Sequence, residues 1–316
     1  MLEALKFVQG AVSKKDYVPA LTHFRIRDQR ITGFNGKISL SSPIALDLDC
    51  HPRAQTFVSA IEACTETVQL NLTTSGKLRV RSGKFAAHVD ILTDDSFPEI
   101  VPEGQSVALS ADIMPALRRM YEFTAEDAAK PWAAGLLLDG HYMFATNNVI
   151  LVQHYMDDFF PFRINIPRYT IKEMLRIGEA PISVQVSQNS VSFHYTNSRW
   201  LRSQVNSVEW PDTDALFEHV AQFEHLLDPV PPGMFEALET LEPFVDALGK
   251  LFIGHGMIAT AEQDGASIDF DLPECSFNIK MLSLLKGVAT RMAFRAYPKP
   301  VLFYGDKLRG VIAGMR

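Results

Sequence analysis

The sequence predicts an α+β chain with antiparallel sheets, built from three copies of one helix-and-strand unit. Three observations carry this prediction: hairpin turns that recur at a regular interval, a closing motif that recurs at nearly the same interval, and amphipathic helices in fixed positions between the strands. The strands come in close-set hairpins and do not alternate one-for-one with helices, which favours antiparallel sheets. Each copy spans about a third of the chain.

The hairpin turns are the first sign of the repeat. Apolar and polar residues alternate on both sides of Asn35-Gly36 and of Asn147-Asn148, and Asp264-Gly265 stands in the corresponding place of the third copy. Glycine, asparagine and aspartate tolerate the positive φ that tight hairpin turns require. The turns begin at positions 35, 147 and 264, so the two intervals between them are nearly equal.

A closing motif ends the first two copies. It reads Ser96-Phe97-Pro98-Glu99 in the first copy and Glu209-Trp210-Pro211-Asp212 in the second, and the strands before the two motifs align without a gap. The starting positions, 96 and 209, repeat the interval between the first two turns almost unchanged. The third copy repeats the apolar alternation at Met292, Phe294, Val301 and Phe303. The sequence therefore predicts three domains, at residues 1–103, 104–213 and 214–316.

Helices are predicted where apolar residues recur at three- and four-residue spacing between the strand groups. Prolines at positions 52, 167 and 232 stand at or near helix starts, where a missing N–H has no effect on the hydrogen bonding. The predicted helices are Leu2–Ser13, Ala54–Thr65, Ala111–Phe123, Arg168–Gly178, Pro232–Val245 and Phe277–Val288.

Composition limits the class of protein. The 316 residues are 47% hydrophobic and 21% charged, which is enough apolar material for folded cores. The chain has no apolar run long enough to span a membrane, no signal-peptide pattern, and three cysteines without paired spacing. These features predict a cytoplasmic chain without disulfides. The net charge of −7 is weak evidence against nucleic-acid binding, because screening lets a local basic surface act within an acidic protein.

No catalytic constellation emerges from the sequence, which predicts a protein that is not an enzyme and has neither a metal site nor a cofactor. His219 and His225 lack a metal-binding spacing, and Ser283 and Lys286 match a short Ser-x-x-Lys pattern with no companion motif. The pairs Asp94-Asp95 and Asp157-Asp158 leave open a hydrolase that uses two carboxylates, although adjacent acids usually only solvate a turn.

Several short motifs, in order, carry a resemblance to a known family. Ser82-Gly83 followed by Phe97-Pro98-Glu99, the stretch from Ala133 to Leu151, Trp210-Pro211-Asp212, and the C-terminal Val311-Ile312 with Met315-Arg316 resemble segments of bacterial β sliding clamps. These clamps are the processivity subunit of the replicative DNA polymerase. Where the family usually reads Asp-Gly-His-Arg, this chain has Asn147-Asn148-Val149-Ile150. The departures indicate a diverged branch, of bacterial or bacteriophage origin.

The resemblance implies a DNA sliding clamp in which two chains join head to tail into a ring. Helices of all three copies would line the hole and the antiparallel sheets would form the outer rim. Such a ring encircles double-stranded DNA without reading its sequence and tethers the replicative polymerase, in the cytoplasm of a bacterium or of the phage's host. The alternative is a monomeric accessory protein of the same fold, which binds DNA or replication proteins without closing a ring.

Basic side chains on the predicted helices and the adjoining loops are the candidates for contacting DNA. Arg168, Lys172 and Arg176 recur at spacings of four and therefore share one helix face. The plain alternative is that charged residues on a helix face are only solvated, and that Trp132 belongs to a core. The predicted DNA-contacting residues are Lys14, Lys15, Arg118, Arg119, Lys130, Trp132, Arg168, Lys172, Arg176, Lys280 and Lys286.

The resemblance also implies a pocket between the second and third domains that receives a short peptide of the polymerase and the clamp loader. The alternative for each residue is ordinary interdomain core. Carried over to this chain, the pocket residues are Thr146, Asn148, Val149, Leu151, Pro211, Leu216, Val311, Ile312 and Met315.

One predicted helix does not fit a surface that contacts DNA. Glu236, Glu239, Glu242 and Asp246 fall on one side of Pro232–Val245, where they would repel phosphate.

Overall fold

A computed structural model describes residues 1–15, 17–93, 97–126 and 130–315. Asp94, Asp95, Ser96 and Arg316, which are named above, lie outside the described residues. Within those ranges, helices and antiparallel strands alternate in groups, so the predicted α+β class is confirmed. None of the helices found there combines the length and the apolar character that crossing a membrane would demand.

Seven α-helices are found in the described residues. They are α1 (Leu2–Val8), α2 (Ala54–Glu62), α3 (Ile113–Tyr121), α4 (Arg168–Ile177), α5 (Thr213–Ala221), α6 (Met234–Leu241) and α7 (Ile279–Ser283).

The strands of the first two-thirds of the chain are β1 (Arg25–Arg27), β2 (Arg30–Phe34), β3 (Ile38–Pro43), β4 (His51–Pro52), β5 (Gln69–Leu72), β6 (Lys77–Ser82), β7 (Phe85–Leu92), β8 (Gln105–Ala108), β9 (Gly135–Thr146), β10 (Ile150–Pro167), β11 (Ser183–Val186), β12 (Ser190–Tyr195) and β13 (Arg199–Gln204). The remaining strands are β14 (Asp228–Pro229), β15 (Lys250–Gly254), β16 (Met257–Ala259), β17 (Ser267–Asp269), β18 (Cys275–Asn278), β19 (Arg291–Met292), β20 (Val301–Gly305) and β21 (Leu308–Ile312).

The chain forms two compact units, and unit 1 comprises residues 1–114 and 172–205. Its larger sheet has seven strands in the order β1-β2-β3-β13-β12-β11-β8, and its smaller sheet has the order β4-β7-β6-β5. Leu40 on β3 pairs with Leu201 on β13, and both side chains are fully buried at the centre of the larger sheet. Helix α1 packs on β2 and β3.

Unit 2 comprises residues 115–171 and 206–316. Its six-stranded sheet has the order β14-β19-β20-β21-β10-β9, and its four-stranded sheet has the order β17-β16-β15-β18. Leu151 on β10 pairs with Val311 on β21, although the two residues are separated by about half of the chain. Apolar residues on one face of the six-stranded sheet form a core cluster with Phe217 and Val220 of α5.

The three predicted turns lie in equivalent positions. Asn35 accepts hydrogen bonds through Oδ1 from the backbone of Lys37 and Ile38, and Asn147 accepts the same pair from Val149 and Ile150. Gly36 and Asn148 both have positive φ, at 88° and 73°. Asp264, at φ 57°, lies in the loop between β16 and β17, which pair in the same way as β2 and β3.

A second feature repeats in all three copies. In each copy, the segment that leads into the second helix pairs with the first strand of that copy. The paired residues are Ile26 and Cys50 in the first copy, Leu137 and Asn165 in the second, and Leu251 and Phe277 in the third. The large sheets continue past the predicted domain limits near 103 and 213, because β13 joins β3 and β21 joins β10. The chain is therefore compact as two units, while the three-domain limits stay a prediction.

Two helix predictions differ from the structure in an informative way. Phe277 was expected in the last helix but lies in β18, and the helix that follows covers only Ile279–Ser283. Ladder hydrogen bonds with β15 outweigh the helical spacing of the apolar residues there. Helix α5 was not predicted, although Asp212 caps it by accepting from the backbone N–H of Asp214 and Ala215.

A pH dependence of stability follows from His154 on β10. Burial, aided by the charges of Arg119 and Lys307, lowers the pKa of His154 to about 4. A histidine in the unfolded chain titrates near 6.5, so below that pH the unfolded state takes up a proton that the folded state does not. We expect the free energy of unfolding to fall by up to about 3 kcal/mol as the pH drops from about 6.5 to about 4.

Urea unfolding at a series of pH values measures this effect. The slope of interest is that of the free energy of unfolding against pH between about 4 and 6.5. His154→Leu should remove most of this slope, while His88→Leu, which changes an exposed histidine on β7, should keep it. An unchanged slope in the His154→Leu protein would rule out this histidine as the cause.

Candidate functional site

Unit 2 contains an apolar groove beside the turn that joins β9 to β10. Its cavity has a volume of about 260 Å³. The groove is lined by Lys130, Trp132, Thr146, Asn148, Val149, Ile150, Leu151, Trp210, Pro211, Asp212, Thr213, Leu216, Pro300, Val311 and Ala313.

Local hydrogen bonds fix the turn that forms one wall of the groove. Thr146 donates from Oγ1 to the carbonyl of Ile150 at 2.7 Å and accepts from the backbone N–H of Asn148 at 3.0 Å. Asn147 holds the other side of the turn by accepting from Val149. The backbone at the groove wall is therefore defined before any ligand binds, and a preformed wall lowers the entropy cost of binding.

Aromatic rings form the floor of the groove. The rings of Trp132 and Trp210 meet edge to face with their centroids 5.4 Å apart, and Phe144 lies 6.4 Å from Trp210. The buried indole N–H of Trp210 has no hydrogen-bond acceptor among the described residues. The ammonium of Lys130 lies 6.0 Å from the Trp132 ring, which sets a positive charge at the rim.

The structure brings seven of the nine predicted pocket residues together around this cavity, namely Thr146, Asn148, Val149, Leu151, Pro211, Leu216 and Val311. Ile312 is fully buried, as expected for the neighbour of Val311 on a strand whose side chains alternate between faces. Met315 lies outside the lining, and its backbone bonds to Ser276 and to the Tyr297 hydroxyl.

Two tryptophans of the groove were not assigned to it from the sequence. Trp132 was predicted among the DNA-contacting residues, whereas the structure has it in the groove against Trp210. Trp210 precedes Pro211 in the closing motif, so its neighbourhood could have indicated a role in the same pocket. The contact itself joins residues that are far apart in the sequence, which no local pattern reports.

Apart from Trp132, the predicted DNA-contacting residues divide into two groups. The first group has exposed side chains and comprises Lys14, Lys15, Arg118, Lys130, Lys172 and Lys280. The second group is engaged within the protein and comprises Arg119, Arg168, Arg176 and Lys286.

Arg168 is the most engaged member of the second group. Its guanidinium donates to the carbonyls of Tyr121 and Thr124 at 3.0 and 2.8 Å, pairs with Glu126 at 3.0 Å, and stacks 4.1 Å from the Tyr121 ring centroid. Its side chain is only 18% exposed. A planar guanidinium with five donors suits this task of tying together backbone carbonyls.

Arg176 and Arg119 also bond to backbone carbonyls. Arg176 donates to the carbonyls of Lys6 and Phe7 at the end of α1 and pairs with Glu173 at 2.6 Å. Arg119 donates to the carbonyl of Asp306 at 2.9 Å. Lys172 lies between the two arginines of α4 in sequence and is exposed, and unlike them it is not bonded to backbone carbonyls of the described residues.

The acidic helix is partly neutralised. Lys286 pairs with Glu239 at 2.6 Å and with Glu236 at 3.6 Å, and the hydrogen bond with Glu239 raises the pKa of Lys286. Asp246 accepts from the backbone N–H of Leu248 and so helps to shape the following turn. Two of the four carboxylates on this side of the helix, those of Glu236 and Glu239, are therefore paired with one lysine of the same unit.

The residues considered for catalysis are dispersed. Within residues 1–15, 17–93, 97–126 and 130–315 no three His, Cys, Asp or Glu side chains could together hold a metal ion. Asp157 pairs with Lys307 at 2.7 Å, and His225 bonds to the carbonyl of Gln222. These contacts are typical of surface turns.

A matched pair of variants on α4 separates a structural arginine from a solvated lysine. Arg168→Ala should lower the free energy of unfolding by about 1–3 kcal/mol, because it removes the guanidinium donor of the Thr124 carbonyl together with the ion pair to Glu126 and the stacking on Tyr121. Lys172→Ala should change it by less than about 0.5 kcal/mol. Urea denaturation of both proteins measures the difference, and equal stabilities would contradict a structural role for Arg168.

Comparison with known proteins gives a clear result for the fold. No protein-family profile and no curated protein sequence matches the chain. Many solved structures match it, and the following three are among those that match over 100% of its length. They are the DNA polymerase III β subunit of Pseudomonas aeruginosa (18% identity, 97% of that chain, TM-score 0.81), the polymerase sliding clamp of Bacillus subtilis (17%, 96%, 0.80) and pol III β of Caulobacter crescentus (17%, 97%, 0.82). The chain therefore has, over its whole length, the fold of the bacterial β sliding clamps.

Proposed function

We propose that this protein is a DNA sliding clamp, a ring around duplex DNA that keeps the replicative polymerase attached during synthesis. The observation that carries the proposal is the match of the entire chain to structures described as sliding clamps or polymerase β subunits. The task requires a topological link and weak contacts to phosphates, since strong base contacts would stop sliding. Neither requires a catalytic residue.

The ring is proposed to form from two chains joined head to tail. Among the described residues, the smaller sheet of each unit ends in an unpaired edge strand, β5 in unit 1 and β17 in unit 2. An unpaired edge is a template for another strand, and Leu72 on β5 is 48% exposed. Arg79 and Arg81 are exposed beside β5, whereas Asp269 and Asp271 are exposed at β17. This charge difference supports pairing of unlike edges, which is the head-to-tail arrangement.

The contacts with DNA are proposed to come from the exposed basic side chains on helices and adjoining loops, foremost Lys14, Lys15, Arg118, Lys172 and Lys280. Flexible lysines give sequence-independent contacts that break and reform as the ring moves. Arg119, Arg168, Arg176 and Lys286 have partners within the protein, so we expect them to contribute less to DNA binding. The net charge of −7 does not oppose this, since charge effects are screened beyond roughly 8–10 Å.

The apolar groove of unit 2 is proposed to hold a short peptide of the polymerase and of the clamp loader. Its aromatic floor and its apolar walls suit peptide side chains that serve as hydrophobic anchors. Val149, at the tip of the turn, and Leu216, on α5, are half-buried and border the opening. Lys130 adds a positive charge at the rim, which favours a peptide with an acidic residue beside its anchors.

A charge placed in the groove should weaken peptide binding. Val149→Asp should weaken the binding of a fluorescein-labelled peptide with leucine and phenylalanine anchors by about tenfold or more, because the carboxylate would be desolvated against those anchors. Lys37→Asp changes the equivalent residue of the Asn35 turn in unit 1 and should leave the affinity unchanged. Fluorescence anisotropy gives both affinities, and equal loss in the two variants would contradict the groove as the site.

Ring closure is tested by trapping the protein on DNA. A linear duplex is incubated with the protein and then ligated into a circle, and gel filtration at moderate salt compares it with the duplex left linear. A ring should stay with the circle, leave the linear duplex through its ends, and leave the circle when a nuclease cuts it. Equal retention on the circular and the linear duplex would contradict the sliding mechanism.

Edge variants connect this result to the proposed interface. Leu72→Glu introduces a like charge opposite the acidic edge at β17 and should give monomers in sedimentation together with loss of retention on circles. Ile182→Glu is the control, because Ile182 is a comparably exposed apolar residue, 53% exposed, away from both edges. Wild-type protein that sediments as a monomer and still binds DNA would favour the accessory protein without a ring.

A further inference from the structure

Unit 1 contains a second pocket, of about 170 Å³, on one face of its seven-stranded sheet. A row of side chains crosses four strands there, because Arg25 pairs with Thr32, Thr32 with Ser41, and Ser41 with Trp200. Residues 97–102 border the row on the other side. We call this site the arginine pocket, lined by Arg25, Arg27, Asp28, Arg30, Thr32, Ser41, Phe97, Pro98, Glu99, Ile100, Val101, Pro102 and Trp200.

The internal repeat shows what occupies the same position in unit 2. When the Asn35 turn is aligned with the Asn147 turn, Arg25 falls on Leu137 and Thr32 falls on Phe144. In unit 2 this position is apolar and α5 covers it, with Phe217 packed in the same core cluster. In unit 1 the segment after Phe97-Pro98 contains no helix, and the equivalent row is polar and open.

The charges of the arginine pocket are incompletely balanced. Arg30 is half-buried and donates to neutral partners, Ser41 Oγ at 3.1 Å and the Ser198 carbonyl at 2.8 Å. Its burial without a carboxylate lowers the pKa of Arg30. The Arg25 side chain forms no hydrogen bond or ion pair within the described part of the chain, whereas Arg27 pairs with Asp49 at 2.9 Å. Two arginines of the lining are therefore not paired with a carboxylate of the described residues.

The rest of the lining selects among anions. Trp200 and Phe97 are almost fully buried and Val101 is 52% exposed, so an apolar wall adjoins the arginines. Asp28 and Glu99 also line the pocket and would repel the closely spaced phosphates of a nucleic acid. A single carboxylate beside an apolar side chain meets both the positive charge and the apolar wall.

We propose that the arginine pocket binds an acidic segment of a partner protein, with a carboxylate held between Arg25 and Arg30 and an apolar side chain against Val101 and Trp200. Arginine presents two parallel N–H donors to a carboxylate, and such charge-assisted bonds are stronger than neutral ones. The position of the pocket in unit 1 gives the chain a second docking site, which acts independently of the groove in unit 2. It requires neither ring closure nor DNA.

The experiment uses the full chain and a fluorescein-labelled peptide that carries a single glutamate beside a phenylalanine among neutral residues, followed by fluorescence anisotropy at low and moderate salt. The wild-type protein should bind it saturably, with an affinity that falls as salt increases. Arg25→Ala should weaken binding by about tenfold, and Arg25→Lys should recover only part of that loss because a lysine cannot form the two parallel bonds. The Arg25 side chain has no partner among the described residues to lose, so the variant should keep the wild-type unfolding midpoint.

Two controls make the result specific. Removing two exposed lysines, Lys37→Ala with Lys299→Ala, lowers the charge by two without touching the pocket and should leave binding unchanged. A peptide with glutamine in place of glutamate should not bind. The proposal is overturned if the wild-type protein does not bind the acidic peptide, if Arg25→Ala binds it equally well, or if a single-stranded oligonucleotide displaces it at lower concentration than the unlabelled peptide does.

Discussion

Two antiparallel ladders between strands that are distant in sequence hold this protein together. In unit 1 β13 joins β3, and in unit 2 β21 joins β10. Each ladder satisfies backbone groups that a single repeat would leave exposed at a sheet edge. The second ladder also creates the groove, because it sets Val311 beside Leu151. The groove that we propose as a partner site thus depends on strand pairing that closes late in the chain.

The basic residues fall into two classes, those bonded within the protein and those exposed to solvent. Arg168 and Arg176 bind backbone carbonyls with a rigid, planar guanidinium, whereas Lys14, Lys172 and Lys280 remain exposed. Lysine is strongly hydrated and flexible, which suits transient contacts with phosphate. The sign of a charge is therefore a poor guide to its role when the partners of the side chain are unknown.

One position of the repeat has opposite chemistry in the two units. Equivalent positions are apolar in unit 2, where α5 covers part of the sheet face, and basic in unit 1, where residues 97–102 contain no helix. Replacing Leu137 and Phe144 by Arg25 and Thr32 changes what the face can bind without changing the ladder below it. Backbone hydrogen bonds fix the shape, and side chains on one face are free to differ.

The sequence by itself determined the local structure. Asn35 and Asn147 form their turns with their own neighbouring backbone, so the hairpins and the repeat were readable from spacing. Seven of the fifteen residues that line the groove were expected from the family resemblance of the short motifs. Tertiary structure alone decided the role of Trp132, which packs against Trp210 although five strands and a helix separate the two residues in the sequence. It also decided the role of Arg168, whose acceptor Thr124 lies on the far side of β9 and β10 in the sequence. Local patterns record interactions within a few residues, whereas burial and long-range hydrogen bonds depend on which strands pair.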